Sequence, residues 1–251
     1  MLEIKNLKVR YKNSTSDAVC GVSFRLEKGA FTGLVGESGS GKSTIVTASL
    51  GLLPDGAKTE GEILFKGENI LNMSEDKLRK LRWKEIALVP QGALNSFTPV
   101  ITIGHHVNEV LKRHLNMGGK DADKKIDGLL EEVGLEASIK KRYPHELSGG
   151  QKQRAAIALA LACSPSLLFA DEPTTALDVV SQSGILKLLE RLSKEKGLTV
   201  LLITHDLPVA ATLCEKLLVM KNGLLVEEGS PKEIIRNPKD PHTKALVEAI
   251  L

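Results

Sequence analysis

The sequence has no long apolar run. Nowhere in its 251 residues does an uncharged hydrophobic stretch approach the ~18 residues that a spanning helix needs, which excludes a transmembrane helix. The start, MLEIKNLKVR, lacks the apolar core and small-residue cleavage site of a secretory leader, so a cytosolic protein is expected unless another component tethers it. Cysteine is scarce: Cys20, Cys163 and Cys214 are odd in number, far apart and in no CxxC pair. Neither a disulfide framework nor a zinc site is therefore suggested, and buried free thiols are expected. A charge bias is missing too, with 34 Lys and Arg against 31 Asp and Glu and no basic run, so nothing argues for a nucleic-acid partner. Repeats and low-complexity segments are absent. The composition is that of a globular chain, 42% hydrophobic and 26% charged, long enough for a well-buried core.

Short β-like runs, Leu2–Val9 and Val19–Leu26, alternate with polar turns and lead to Ala30–Val35, a compact apolar strand that runs into Gly36. Beyond a glycine-rich turn, Ser43–Leu53 is predicted as a helix stopped by Pro54 and Gly56. Glu62–Phe65 and Ile86–Val89 are further strands around a charged amphipathic segment, Ser74–Trp83. From Ile103 to about Ala162 the period is helical, with breaks at Gly118-Gly119 and near Tyr143-Pro144, which predicts a helical insertion. Strands return at Ser166–Ala170 and Leu198–Thr204 around a helix over Val180–Lys196, the spacing of βαβ units on a parallel sheet. Strands at Lys216–Met220 and Leu224–Glu227 and short helices at Lys232–Ile235 and Thr243–Ile250 complete an α/β chain.

Gly36-Glu37-Ser38-Gly39-Ser40-Gly41-Lys42-Ser43-Thr44 satisfies the phosphate-loop pattern G-x-x-x-x-G-K-[ST]. Its glycines permit conformations and close approach that a Cβ would block, so successive N–H groups can face an anion. The helix that follows adds its positive end, Lys42 a cation for the β and γ phosphates, and Ser43 a hydroxyl for Mg²⁺. Leu167-Leu168-Phe169-Ala170 ends in Asp171-Glu172-Pro173. Alone, such an acidic pair is more often a capping turn. With a phosphate loop in the same chain, Asp171 suits a metal shell and Glu172 suits polarising an attacking water. Another apolar strand delivers His205, whose imidazole can bond a γ-phosphate oxygen or that water. Leu147-Ser148-Gly149-Gly150-Gln151 opens a helical run over Lys152–Ala162 with a second set of exposed amides. One nucleotide does not easily occupy two cradles of one compact chain, so the second is expected to serve a nucleotide held by another copy, which predicts a dimer.

These motifs, in this order, resemble those of ABC-type ATPase subunits along the whole chain: Walker A (Gly36 to Thr44), the Q-loop (Gln91), the LSGGQ signature (Leu147 to Gln151), Walker B with its glutamate (Leu167 to Glu172), the D-loop (Ala176-Leu177-Asp178) and the switch histidine (His205). The resemblance implies a P-loop NTPase fold: a RecA-like parallel-sheet core, an antiparallel β-subdomain and an inserted α-helical subdomain. It implies one domain over 1–251, with about 1–90 and 163–251 as core and about 91–162 as helical signature subdomain. It further implies Mg-ATP sandwiched between one subunit's Walker A and the other's signature. The roles implied are Glu172 as catalytic base, His205 as γ-phosphate switch, Gln91 as sensor and metal contact beside Ser43 and Asp171, Asp178 as cross-dimer coupling, and Tyr11 as the adenine-stacking aromatic.

The tail Asn237-Pro238-Lys239-Asp240-Pro241-His242-Thr243-Lys244-Ala245-Leu246 is similar to that of oligopeptide, dipeptide and nickel importer ATPases, as are the 91–99 and 173–178 stretches. Many peptide members carry a cysteine-bearing iron–sulfur extension, absent up to Leu251. Peptide, nickel, metallophore and oligosaccharide cargoes all stay open. The branch implies a second, different ATPase subunit, two permease chains, an extracytoplasmic binding protein, and a peripheral place on the cytoplasmic face of the membrane. A clamp on DNA or the ribosome is opposed by the lack of tandem cassettes or long coiled coils, and a regulator without turnover by the presence of Glu172 and His205.

Overall fold

The computed structural model describes residues 1–92 and 96–249. The centre of the 91–99 stretch and the end of the last expected helix, Ile250, lie outside the described residues. In chain order the elements are β1 (Leu2–Arg10), β2 (Val19–Leu26), β3 (Phe31–Gly36), α1 (Lys42–Ser49), β4 (Lys58–Phe65), β5 (Glu68–Asn69), α2 (Glu75–Leu81), β6 (Ile86–Val89), α3 (Ile103–Leu115), α4 (Gly119–Glu132), α5 (Gly149–Ala160), β7 (Leu167–Asp171), α6 (Val179–Lys196), β8 (Thr199–Thr204), α7 (Leu207–Leu213), β9 (Lys216–Lys221), β10 (Leu224–Gly229), α8 (Pro231–Arg236) and α9 (Pro241–Glu248). They form two compact units, Met1–Arg79 with Thr199–Leu251, and Lys80–Leu198.

In the first unit β3 lies between β8 and β9, parallel to both, and β10 pairs antiparallel with β9. β3 and β8 are buried at every position, as parallel strands covered on both faces must be, and their sequences, FTGLVG and TVLLIT, do not alternate. Gly33 allows the close layer beside β3, because a Cβ there would lie 2.9 Å from Leu217 Cδ2 and 3.0 Å from Cys214 Sγ. Burial drives the Cys214 thiol well above its ordinary range, so it stays a neutral packing group. Cys163 is buried likewise, whereas Cys20 is half-exposed, a departure from the expected three buried thiols.

The antiparallel sheet of this unit has the order β2-β1-β4-β5. In β1 the buried residues are Leu2, Ile4, Leu7 and Val9, an alternation that slips by one. A bulge at Lys5–Asn6 absorbs the slip: Asn6 takes φ 46° and the register with both neighbours shifts there. Gly61 of β4 lies under the bulge, where a Cβ would sit 2.4 Å from the Lys5 carbonyl oxygen. β4 therefore begins at Lys58, four residues before the apolar run that signals it. Near the end of the chain the Glu227 carboxylate accepts the amides of Lys239 (2.9 Å) and Asp240 (3.0 Å), pinning the tail motif to β10.

In the second unit β6 and β7 pair in parallel, Ile86 with Leu167 through Val89 with Ala170. α3 starts at Thr102, whose hydroxyl accepts the His105 amide, and stops at Asn116 in the left-handed region. α4 ends before Gly134 (φ 73°), and two short 3₁₀ turns, Ala137–Lys141 and Pro144–Glu146, lead to α5. Lys140 on the first turn reaches back to Asp123 and Asp127 of α4 at 2.9 and 2.8 Å. Among the described residues, no helix is long and apolar enough to cross a membrane.

Candidate functional site

The phosphate-loop pattern occupies the turn between β3 and α1. Lys42 opens the helix and is only 6% exposed. Its ammonium donates to the carbonyl oxygens of Gly36 (2.8 Å) and Glu37 (2.7 Å) and to Ser40 Oγ (3.2 Å), so the cation lies folded across its own loop. The loop is held from behind: the Gly223 amide donates to the Ser40 carbonyl, and the Cys20 amide to the Gly223 carbonyl. The glycines serve different needs. Gly39 takes φ 81° in open space, whereas Cβ atoms at Gly36 and Gly41 would meet the Met220 and Ala18 carbonyl oxygens at 2.3 and 2.4 Å. Two of the three thus answer to the chain's own backbone, a reason beyond the room a phosphate needs. Gly41, with no side-chain cap to offer, leaves the first amides of α1 uncapped from within, and Ser38 and Ser43 are exposed. The Tyr11 hydroxyl shares a 3.0 Å hydrogen bond with Thr44 Oγ1, which brings the expected nucleobase-stacking ring to the loop.

At the end of β7, Asp171 is buried. Glu172 follows with φ 44°, left-handed backbone that costs a side-chain-bearing residue roughly 1–3 kcal/mol and tends to mark functional sites. Its Oε2 accepts from Gln91 Nε2 and from Thr175 Oγ1, both at 3.0 Å. Gln91 and Glu172, 81 positions apart in the chain, are thereby brought together, while Thr175 is a partner that sequence reading passed over. His205, exposed, follows β8 in the other unit, just before Asp206, which caps α7 by accepting the Val209 amide.

At the start of α5 Ser148 and Gln151 form a reciprocal capping box: Ser148 Oγ accepts the Gln151 amide (3.3 Å) and Gln151 Oε1 accepts the Ser148 amide (3.0 Å). The cap uses the serine oxygen as acceptor and leaves its proton, with the amides of Gly149 and Gly150, to an incoming oxygen. A cleft of about 390 Å³ opens beside this start, lined by Arg142, Ser148, Gly150, Gln151, Arg154 and Ser181. Arg154 Nη1 donates to the Val133 carbonyl at 2.6 Å, and its guanidinium passes so close to Gly134 and Gly184 that Cβ atoms there would meet it at 3.1 and 3.0 Å. Arg154→Ala is expected to destabilise the chain by about 2 kcal/mol, the range for a hydrogen bond from a charged donor, measured as a lower midpoint of urea unfolding.

Asp178 caps α6, accepting the Ser181 hydroxyl (2.6 Å) and amide (2.9 Å). The hydroxyl bond first, then the amide bond, holds its carboxyl below the ordinary range. The carboxylate's stabilising effect is fully present above the unfolded pKa of about 3.9 and is lost as pH falls through the lower folded value. Stability of wild type relative to Asp178→Asn is therefore expected to be constant near neutrality and to shrink below pH ~4, followed by denaturant titration across pH.

An ABC transporter family model matches residues 19–175. This chain belongs to the ABC transporter family. The ABC ATPase is 41% identical, over its whole length, to the oligopeptide transport ATP-binding protein OppD of Bacillus subtilis, of which it spans 72%. It is also 41% identical to the dipeptide transport ATP-binding protein DppD of the same organism, spanning 76% of it. Among solved structures, the dimeric structure of MJ0796, a bacterial ABC transporter cassette, superposes with TM-score 0.81 at 33% identity, over 92% of this chain and 99% of that one. A post-hydrolysis dimer of the same cassette, bound to ADP and Pi, matches with the same score, identity and coverage. The α/β P-loop fold, with its parallel and antiparallel sheets, is that of an ABC cassette, and the chain is an ATP-binding ATPase.

Proposed function

We propose that this ABC ATPase energises the import of peptides across a membrane. The observation that carries the nucleotide part is Lys42, a buried ammonium held by loop carbonyls at the positive end of α1, where phosphate oxygens are the stronger, charged acceptors it can exchange onto. In this reading ATP lies between the loop of one subunit, from Gly36 to Thr44, and Ser148, Gly149, Gly150 and Gln151 of the other. Tyr11 stacks on the base, Glu172 takes the proton of the attacking water, and His205 reports the γ-phosphate. The catalytic glutamate is oriented by Gln91 and Thr175, which both donate to its Oε2.

The donors assigned to Mg²⁺, namely the Ser43 hydroxyl, the Gln91 amide oxygen and the Asp171 carboxylate, are hard oxygens that suit this ion. The Gln91 amide nitrogen is directed at Glu172, which keeps its oxygen for such a role. When bound, the ion neutralises charge on the β and γ phosphates. Among the described residues no three or more His, Cys, Asp or Glu are grouped so that they could hold a metal ion.

The working assembly in this proposal is a second ATPase subunit of different sequence, two permeases and an extracytoplasmic binding protein, with this chain as one domain on the cytoplasmic face, divided as the sequence expectations describe. The full-length similarity to oligopeptide and dipeptide transport proteins favours peptide over nickel or metal-chelate cargo. Purifying the complex that forms around a tagged chain, reconstituting it in vesicles and measuring ATP turnover with peptide-loaded and nickel-loaded binding protein tests this. Stimulation by peptide supports the reading; stimulation by nickel alone, or recovery with nucleic acid in place of permeases, overturns it.

A further inference from the structure

Within one chain, the two glycines after Ser148 are seated on the two residues that flank the cap of α6. A Cβ at Gly149 would lie 3.2 Å from Leu177 Cδ2, and one at Gly150 would lie 2.9 Å from Ser181 Oγ and 3.3 Å from Ser181 Cβ. Leu177 immediately precedes Asp178, and Ser181 is bonded to it twice, through Oγ to Oδ2 at 2.6 Å and through its amide to Oδ1 at 2.9 Å. The turn before this cap is unusual as well: Ala176 takes φ 63°, and Gln182 Nε2 ties the Leu177 carbonyl back to the first turn of α6 at 3.1 Å. At this corner α5 offers no side chain of its own from Gly149 and Gly150, and the space beside them is taken by the side chains of Leu177 and of Ser181, the residue that clamps Asp178.

We propose that Ser181 is a positioning residue that couples the 176–178 turn to the start of α5. It makes Asp178 and Ser148 of one chain move as one corner. This rests on the transport-ATPase reading, in which Asp178 lies against the partner subunit and Ser148 reaches the partner's nucleotide. A displacement of Asp178 pushes or releases Ser181, and Ser181 bears on the backbone of Gly150 two residues beyond Ser148. Close-packed contacts transmit such shifts because neither side can compress. The second glycine is then required by Ser181 of its own chain, and not only by a phosphate of another.

A double-substitution cycle separates the two reasons. In the complex purified around the chain, Gly150→Ala is expected to lower kcat about tenfold, the scale of an overpacking penalty in a tight contact. ATP binding by the chain's own loop, measured with a fluorescent analogue, should stay unchanged, which also shows that the variant is folded. Ser181→Gly removes both atoms that a Cβ at 150 would meet and is expected to cost a few-fold on its own through loss of the clamp. Combined, the two substitutions are expected to turn over at least as fast as Ser181→Gly alone. A double variant whose loss equals the product of the single losses, or a Gly150→Ala protein as active as wild type, overturns the coupling. If Gly150→Ala does not fold, Gly149→Ala with Leu177→Ala gives the same cycle at the neighbouring contact. A wild-type complex that hydrolyses no ATP strikes the transport-ATPase reading itself, whereas additive losses in an active complex strike only the coupling.

Discussion

Glu172→Gln is expected to lower ATP turnover by about 10²–10³-fold, the usual contribution of a general base, while nucleotide stays bound. The substitution keeps the shape of the side chain and an oxygen that can still accept from Gln91 Nε2 and Thr175 Oγ1, so the local hydrogen bonds survive. What is lost is the capacity to take a proton. ATP should therefore accumulate in a closed assembly, seen as an earlier-eluting species on size exclusion with ATP and as nucleotide retained after gel filtration. Turnover equal to wild type would remove Glu172 from the role of base.

Lys42→Ala has the second large effect: ATP affinity is expected to fall by roughly 10–100-fold, the equivalent of about one charge-assisted hydrogen bond. Lys42 is buried, so its removal also releases the carbonyls of Gly36 and Glu37 and the hydroxyl of Ser40 from their donor. Thermal melting without nucleotide separates that loss from the loss of binding, since only the second disappears when ATP is omitted. Affinity and turnover at wild-type levels would contradict the assignment of the loop as the phosphate site.

Much of this was legible before any coordinates. The strands at Val19–Leu26 and Ile86–Val89 fall at the boundaries their apolar runs predict, because a buried strand announces itself by composition. The misses have local causes. α1 ends at Ser49 rather than at Leu53, because Gly51 takes φ 61° and its amide and that of Leu52 turn back onto the Ala48 and Thr47 carbonyls. α7 was not expected at all, although Asp206 followed by Pro208 is a start signal for a helix. α9 begins at Pro241, two residues early, because Asp240 caps it through the His242 amide.

The order of the motifs, the phosphate-loop glycines, the acidic pair after an apolar strand and the serine-glycine helix start are properties of the sequence alone. Each is a local arrangement whose residue types carry their own chemistry, and together they determine that the chain is an ABC ATPase. Only the tertiary structure decided that Gln91 bonds Glu172, that Thr175 joins them, and that Gly150 is packed against the serine clamping Asp178. These contacts join residues 81 positions apart, cross a helix–helix approach, or, for Thr175 and Glu172, close an irregular turn of 3 positions, and a side chain's partner in such places depends on how the backbone packs rather than on any period or propensity along it.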